Sequence, residues 1–166
     1  MKRFIATDVL FYLRNNNLIT NHQHGFLSRH STRSLLTIND WSIAFENKFS
    51  VDSAYLDFSK VFDIVSHHKL IYKLQSYGIN GHLLGWIKAF LTNRLQRVQV
   101  TNCLSSLINV ISDVLQGSVL GPILFIIYIN DVSDFFTGSS VTVKLYADDK
   151  NYILVYNVQM ICIPYS

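Results

Sequence analysis

Three carboxylates are the residues of this chain whose types and positions could support chemistry. Asp148 and Asp149 stand side by side within KLYADDKNYIL (144–154), between two stretches of apolar, β-branched and aromatic residues. Asp57 ends another apolar stretch, VDSAYLD (51–57). Adjacent like charges repel each other, so two neighbouring acids indicate either a solvated turn or a bound cation. Carboxylate oxygens are the ligands that magnesium prefers.

The elements around these acids must bring them together if they bind a cation. Residues 141–147 alternate between apolar and polar side chains, which is typical of a half-buried strand. Residues 149–151 have turn chemistry, and a second apolar strand follows at 152–156, so a hairpin with acids at its tip is predicted. The segment 51–57 is predicted to be a buried strand. If it lies in the same sheet, the three carboxylates converge at one sheet edge.

A simpler interpretation of the acids stays open on the residues alone. Asp-Asp is common in solvated turns, and an Asp at the end of a strand often caps the next helix. The choice between a cation site and turn chemistry depends on whether the two strands end at the same place.

The rest of the chain predicts a mixed α+β architecture in which helices cover one face of a sheet. No repeat, low-complexity tract or linker divides the chain, so it is interpreted as one domain or part of one. Helical spacing occurs at 4–14, from 31 or 32 to 45, at 66–77 with Gly78 as the C-terminal cap, at 82–92 and at 118–130; alternating strands occur at 95–100 and 107–112.

The composition excludes several classes of protein. With 166 residues, 49% hydrophobic and 15% charged, the chain is not disordered. A net charge of +3 permits a nucleic-acid partner without indicating one. Cys103 and Cys162 lie far apart without a His/Cys cluster, which indicates neither a disulfide framework nor a zinc site and favours an intracellular location. The apolar run 119–129 is too short to cross a bilayer, so no membrane association is expected.

Three segments, in this order, resemble motifs A, B and C of reverse transcriptases, in particular those of jockey-like non-LTR retrotransposons. They are YLDFSKVFD (55–63), QGSVLGPILFIIYIND (116–131) and KLYADD (144–149). Supporting segments are QHGFLSRHST (23–32), HKLIYKLQSYGI (68–79) and FLTNRLQRVQV (90–100). Each motif alone is weak, but the ordered set is specific. The resemblance covers roughly residues 20–156.

The resemblance implies the fingers and palm of a right-hand polymerase fold, with an antiparallel palm sheet covered by helices. Asp57 and Asp148 would bind two magnesium ions, with manganese as an alternative, and Asp149 would support the same catalytic site. The ions would serve an RNA-directed DNA polymerase that uses an RNA template, a DNA primer and deoxynucleoside triphosphates.

The resemblance also implies which residues contact nucleotide and nucleic acid. Phe62 would close the sugar pocket against a 2′-hydroxyl, with packing in the core as the competing role. Arg94 and Arg97 would contact nucleic-acid phosphates, unless they are only solvated strand-edge residues. The nucleotide-binding set is Phe58, Phe62, Gln116 and Gly117.

Departures from the family pattern lead to further expectations. Asp113 and Leu115 stand where the family usually has Gly and Pro, so a negative charge is expected near the nucleotide phosphates. His30 stands where Arg is typical.

Nothing resembles the later palm or the thumb, so residues 1–166 are interpreted as a partial domain whose partner is the downstream part of the same polyprotein. The fragment is expected to be unstable alone, with the strand 152–156 near an uncovered edge. Two alternatives remain open: a catalytically inactive remnant that binds nucleic acid or protein, and an RNA-templated RNA polymerase.

Overall fold

Helices and antiparallel strands alternate along the described part of the chain, which confirms the mixed α+β class. The structure, a computed structural model, describes residues 2–25, 34–57, 60–115, 117–147 and 151–160. In chain order the elements are α1 (Lys2–Asn15), α2 (Ser34–Glu46), β1 (Phe49–Asp57), α3 (His67–Ser76), α4 (Gly81–Leu91), β2 (Leu95–Gln96), β3 (Gln99–Val100), β4 (Cys103–Leu104), β5 (Ile108–Asn109), α5 (Gly121–Ile129), a 3-10 helix (Asn130–Phe136), β6 (Val141–Ala147) and β7 (Asn151–Met160).

The chain divides into two compact units, although the sequence contains no linker. The helical unit consists of Met1–Leu18 and Lys60–Ile129, and the sheet unit consists of Ile19–Ser59 and Asn130–Ser166. Each unit is therefore built from two separate pieces of the chain, which is why no composition change marks a boundary.

The sheet unit contains a three-stranded antiparallel sheet in the order β1-β7-β6. The predicted hairpin is confirmed, because β6 pairs with β7 from Val141↔Asn157 to Ala147↔Asn151. The expectation that 152–156 lies near an uncovered edge is wrong. These residues belong to β7, which pairs with β6 on one side and with the whole length of β1 on the other.

The predicted strand at 51–57 is confirmed as β1, but the expectation that it is buried is wrong. The side chains of Tyr55 and Leu56 are 58% and 43% exposed. Among the described strands, β1 is the outer strand of its sheet and pairs on one side alone. An apolar run predicts a strand, but burial depends on the strand order, which the run does not encode.

The two faces of β6 contact different elements, because successive residues of a strand point to opposite faces. Val143 and Leu145 are buried and pack against Val132 and Phe136 of the 3-10 helix. Lys144 contacts α2 on the other face. β6 is thus held between two layers.

The helical unit is organised around α5, whose sequence GPILFIIYI is apolar on every side and almost fully buried. The sequence predicted that this helix begins at 118, but it begins at Gly121. Ser118 lies before the helix and caps it, because its Oγ accepts a hydrogen bond from the Gly121 backbone N–H at 3.0 Å. Lys73 Nζ of α3 donates to the Tyr128 carbonyl at 3.0 Å and so satisfies the C-terminal end of α5.

The predicted cap of α3 is confirmed. Gly78 has φ = 82°, and its N–H donates to the Gln75 carbonyl at 2.9 Å. The Ile79 N–H donates to the Leu74 carbonyl at 3.0 Å, which completes a Schellman motif.

The predicted strands 95–100 and 107–112 are wrong in extent. They form a hairpin in short pieces, with β2 paired to β5 and β3 paired to β4. Between the pieces, the Val98 N–H donates to the side-chain Oγ of Ser105 at 2.9 Å, while the Ser105 N–H donates to the Val98 carbonyl at 2.9 Å. A serine hydroxyl replaces a backbone partner there, so the regular ladder is interrupted.

Candidate functional site

The strands that lead to the predicted acids end on the same side of the sheet. β1 ends at Asp57 and β6 ends at Ala147, and both run antiparallel to β7, which lies between them. In this register Asp57 is opposite Tyr152, which in turn is opposite Tyr146. The strands that precede the two acidic positions therefore finish together, as the cation-site interpretation requires.

The side chain of Asp57, and Asp148 and Asp149 as whole residues, lie outside the part of the chain that the structure describes. Strand spacing is about 4.8 Å, so the backbone of Asp57 lies about 10 Å from that of Tyr146, across β7. Within the described part of the chain, no group of three or more His, Cys, Asp or Glu side chains could hold a metal ion.

The buried ammonium group of Lys144, whose contacts the sequence did not predict, attaches the β6–β7 hairpin to α2. Lys144 Nζ donates to Thr37 Oγ1 at 3.0 Å and to Asp40 Oδ2 at 2.8 Å. The Tyr156 hydroxyl donates to the same Asp40 oxygen at 2.8 Å. The Lys144 ammonium also lies 5.3 Å from the centre of the Tyr156 ring, and the Trp41 ring meets that ring edge-on.

This network shifts the pKa of two of its members. Burial alone would raise the pKa of Asp40, but hydrogen bonds from Lys144 and Tyr156, together with the Lys144 charge, bring that pKa below its ordinary value of 3.8. Burial, and then the hydrogen bond to Asp40, raise the pKa of Tyr156 above 10.0. In the sequence, Lys144 occupies a polar position of an alternating strand and gives no signal of a partner 104 residues away.

Two residues of the predicted nucleotide-binding set lie in the helical unit and are described. The Phe62 ring is half-buried, with its centre 4.5 Å from that of Phe125 in α5, and the Phe62 carbonyl accepts a hydrogen bond from the Val114 N–H at 2.9 Å. Gly117 has φ = 77°, a backbone conformation that favours glycine. Phe58 and Gln116 lie outside the described residues.

Asp113, which stands where the family usually has Gly, forms an ion pair within the helical unit. Its carboxylate Oδ1 accepts a hydrogen bond from Arg94 Nη1 at 2.8 Å and lies 3.4 Å from His67 Nε2. His67 Nε2 also donates to the Asp113 carbonyl at 2.9 Å. The carboxylate of Asp113 is therefore paired within the helical unit, and its expected proximity to nucleotide phosphates stays a prediction.

The two predicted phosphate-binding arginines differ in their surroundings. Arg94 is half-buried in its ion pair with Asp113, whereas Arg97 is exposed, between β2 and β3. Among the described residues, no helix has the length and apolar character needed to cross a membrane.

The sequence is similar to known proteins over nearly its whole length. The family model for reverse transcriptase (RNA-dependent DNA polymerase) matches residues 3–160, a wider span than the motifs alone indicate. The RNA-directed DNA polymerase from mobile element jockey of Drosophila funebris is 33% identical over 156 residues, which are 90% of this chain and 17% of that protein. The protein of the same name from Drosophila melanogaster is 32% identical over 156 residues, with the same two coverages of 90% and 17%.

The chain thus spans about a sixth of the length of these curated relatives. The match nevertheless includes all three motifs, with the strands of motifs A and C ending together in the sheet. The chain belongs to the reverse transcriptase (RNA-dependent DNA polymerase) family.

Proposed function

We propose that this chain is the fingers-and-palm portion of an RNA-directed DNA polymerase from a non-LTR mobile element. The observation that carries the proposal is the common end of β1 and β6, since these strands lead to Asp57 and to Asp148–Asp149. Family membership and the similarity to the RNA-directed DNA polymerases of jockey elements support it. The template would be RNA, the primer DNA, and the substrates deoxynucleoside triphosphates.

Asp57 and Asp148 are the proposed ligands of two magnesium ions, with Asp149 beside them and manganese as the alternative metal. The fit rests on the donor set, because carboxylate oxygens suit these hard cations and the register brings the acid-bearing strands to one sheet end. When bound there, two such ions would supply Lewis-acid chemistry that favours attack by the primer 3′-hydroxyl and departure of pyrophosphate.

The nucleotide would be bound by Phe58, Phe62, Gln116 and Gly117. The left-handed conformation of Gly117 supports its part in this set, because no side chain extends from that backbone into the space where a ligand would approach. Arg97, which is exposed, is the stronger candidate for a nucleic-acid phosphate contact, because the guanidinium of Arg94 is already paired with Asp113.

The proposed polymerase would be completed by a downstream region of the same polyprotein, which would supply the later palm and the thumb. The test therefore uses the full-length protein that contains this chain, with an RNA template and a DNA primer. Primer extension should require magnesium and prefer deoxynucleotides, and Asp148→Asn should reduce it to background because a metal ligand is lost.

Asp52→Asn is the matched control. Asp52 is an exposed acid on the same strand as Asp57, so its loss should leave extension close to that of the parent protein. Equal extension with ribonucleotides by the unchanged protein would instead favour an RNA-templated RNA polymerase. Binding of template and primer without any extension would favour an inactive remnant.

A further inference from the structure

We propose that Asp113 and Arg94 are coupled positioning residues that anchor the segment leading into the nucleotide-binding turn at Gln116 and Gly117. The inference rests on the proposed function for the role of that turn. The anchoring itself rests on contacts within the helical unit.

Backbone hydrogen bonds hold this segment in place on both sides of Asp113. The Asp113 N–H donates to the Val65 carbonyl at 3.0 Å, and the Val114 N–H donates to the Phe62 carbonyl at 2.9 Å. Ser112 forms an isolated antiparallel bridge with Ser66. The segment entering the turn is thus attached to the stretch that carries Phe62, so a shift of one would move the other.

The backbone conformation of Asp113 requires additional support. Its φ of 139° is one that glycine adopts readily and side-chain-bearing residues rarely adopt. Such a conformation persists when its surroundings determine it, and here both the carboxylate and the carbonyl of Asp113 are bonded. The side chain therefore supplies contacts that offset the strain of its own backbone.

The guanidinium of Arg94 compensates the charge of the partly buried Asp113 carboxylate. The side chains are only partly exposed, at 28% for Arg94 and 22% for Asp113, and His67 behind them is 6% exposed. Partial removal from water strengthens an ion pair and makes an unpaired carboxylate costly. Arg94 also belongs to the hairpin, because its carbonyl accepts from the Val110 N–H at 2.9 Å, so the ion pair joins the hairpin to the turn.

Two expectations distinguish a positioning role for Arg94 and Asp113 from a direct contact with nucleic acid and from a merely strained backbone. Arg94 acts through Asp113 and not by direct contact with nucleic acid. Asp113→Gly should release the backbone strain but also remove the anchor, so it should loosen the turn instead of improving it.

Amide hydrogen exchange of the 166-residue chain, resolved by residue with NMR, tests the coupling directly. Arg94→Met and Asp113→Asn should each accelerate exchange of the Asp113 and Val114 amides at least tenfold, roughly the effect of losing one charge-assisted hydrogen bond. The double variant should exchange no faster than either single variant, because both remove the same interaction. Arg94→Lys should restore part of the protection, and Arg97→Met is the exchange control that should leave these amides unchanged.

Primer extension by the full-length protein gives the second readout. Arg94→Met should raise the KM for deoxynucleotides several-fold with little change in kcat, because the turn is displaced in both the ground state and the transition state. Unchanged exchange together with weaker template–primer binding would overturn the proposal in favour of direct contact by Arg94. Absence of extension by the parent protein would contradict the proposed polymerase function, whereas the exchange cycle would still decide whether Arg94 and Asp113 are coupled.

Discussion

Phe62 packs against the buried helix α5, and its proposed role is to select deoxynucleotides. Its ring contacts Phe125 of the buried helix α5, and its backbone holds Val114. The sequence allowed two roles, a gate against the 2′-hydroxyl and a core aromatic. The contact with Phe125 shows that packing is part of its role, and selectivity is the part that stays a prediction.

Phe62→Ala should have two separable effects. Loss of a half-buried ring should lower the free energy of unfolding by about 1–3 kcal/mol, less than for a fully buried phenylalanine. Enlarging the pocket should raise the use of ribonucleotides relative to deoxynucleotides by roughly tenfold or more in primer extension by the full-length protein.

Phe125→Leu is the control for this pair, because it disturbs the same ring contact from the other side. It should lower stability without changing the ratio of ribonucleotide to deoxynucleotide use. If Phe62→Ala destabilises the protein and leaves that ratio unchanged, Phe62 is a core residue and the gate assignment is wrong.

At the scale of elements, the hairpin is held by a charged network on one face and by apolar packing on the other. Lys144, Asp40 and Tyr156 join β6 and β7 to α2, while Val143 and Leu145 pack on the 3-10 helix. The hairpin that carries the proposed catalytic acids is therefore fixed from both sides, which suits a site that depends on exact placement of carboxylates.

The network predicts how stability depends on pH. Asp40 has a lowered pKa in the folded protein, so its contribution is present above the unfolded value of about 3.9 and is lost as the pH falls through the folded pKa. Tyr156 has a raised pKa, so its contribution is present below about pH 10 and is lost as the pH rises through the folded pKa. Urea unfolding at a series of pH values, followed by Trp41 fluorescence in a Trp86→Phe background, measures the loss of stability in both the acidic and the alkaline range.

Tyr156→Phe isolates the tyrosine's share of this pH dependence. The difference in the free energy of unfolding between parent and variant should be constant near neutral pH and should shrink above about pH 10. A difference that stays constant through this alkaline range would mean that folding does not raise the pKa of Tyr156.

Local patterns predicted the existence of elements better than their surroundings. The alternation at 141–147 correctly gave β6, and Gly78 correctly gave the end of α3. The exposure of β1 follows from strand order, and the break between β2 and β3 follows from the hydroxyl of Ser105. Strand order depends on partners distant along the chain, and so do the contacts of Lys144 and Asp113. The Ser105 hydrogen bond is local, but it involves a side chain whose role no periodicity encodes.

For the candidate site, the sequence predicted which residues lie at strand ends but not which strands and side chains lie beside them. The sequence placed Asp57 and the hairpin acids at strand ends, and the sheet brings those ends together. It could not show that β7 separates β1 from β6, since apolar runs do not specify neighbours. Arg94 was predicted as a phosphate contact from the family resemblance, with a solvated strand-edge residue as the alternative, and neither pattern indicated its ion pair with Asp113.

At the scale of the whole molecule, β7 has a greater structural role than its position near the end of the sequence indicates. It is the strand that connects β1 to β6, and without it the two remaining strands of the sheet have no hydrogen-bonded partner among the described strands. Of the two reasons to expect an unstable fragment, the uncovered edge near 152–156 is therefore wrong, while the missing thumb stays a prediction. The exposed apolar side chains of β1 are the better reason for caution about solubility.

Removing residues 148–166 should unfold one unit and spare the other. Loss of β7 should abolish amide protection in β1 and β6, because their ladder partners are gone, and stability of the sheet unit should disappear. The helical unit has its own internal bonds, among them the Schellman motif of α3 and the contact of Lys73 with α5, so amides of α3 and α5 should keep most of their protection. Hydrogen exchange on the parent and the truncated chain measures both outcomes. Equal loss of protection in α3 and α5 would show that the two units unfold cooperatively, and the prediction that the helical unit survives the truncation would then be wrong.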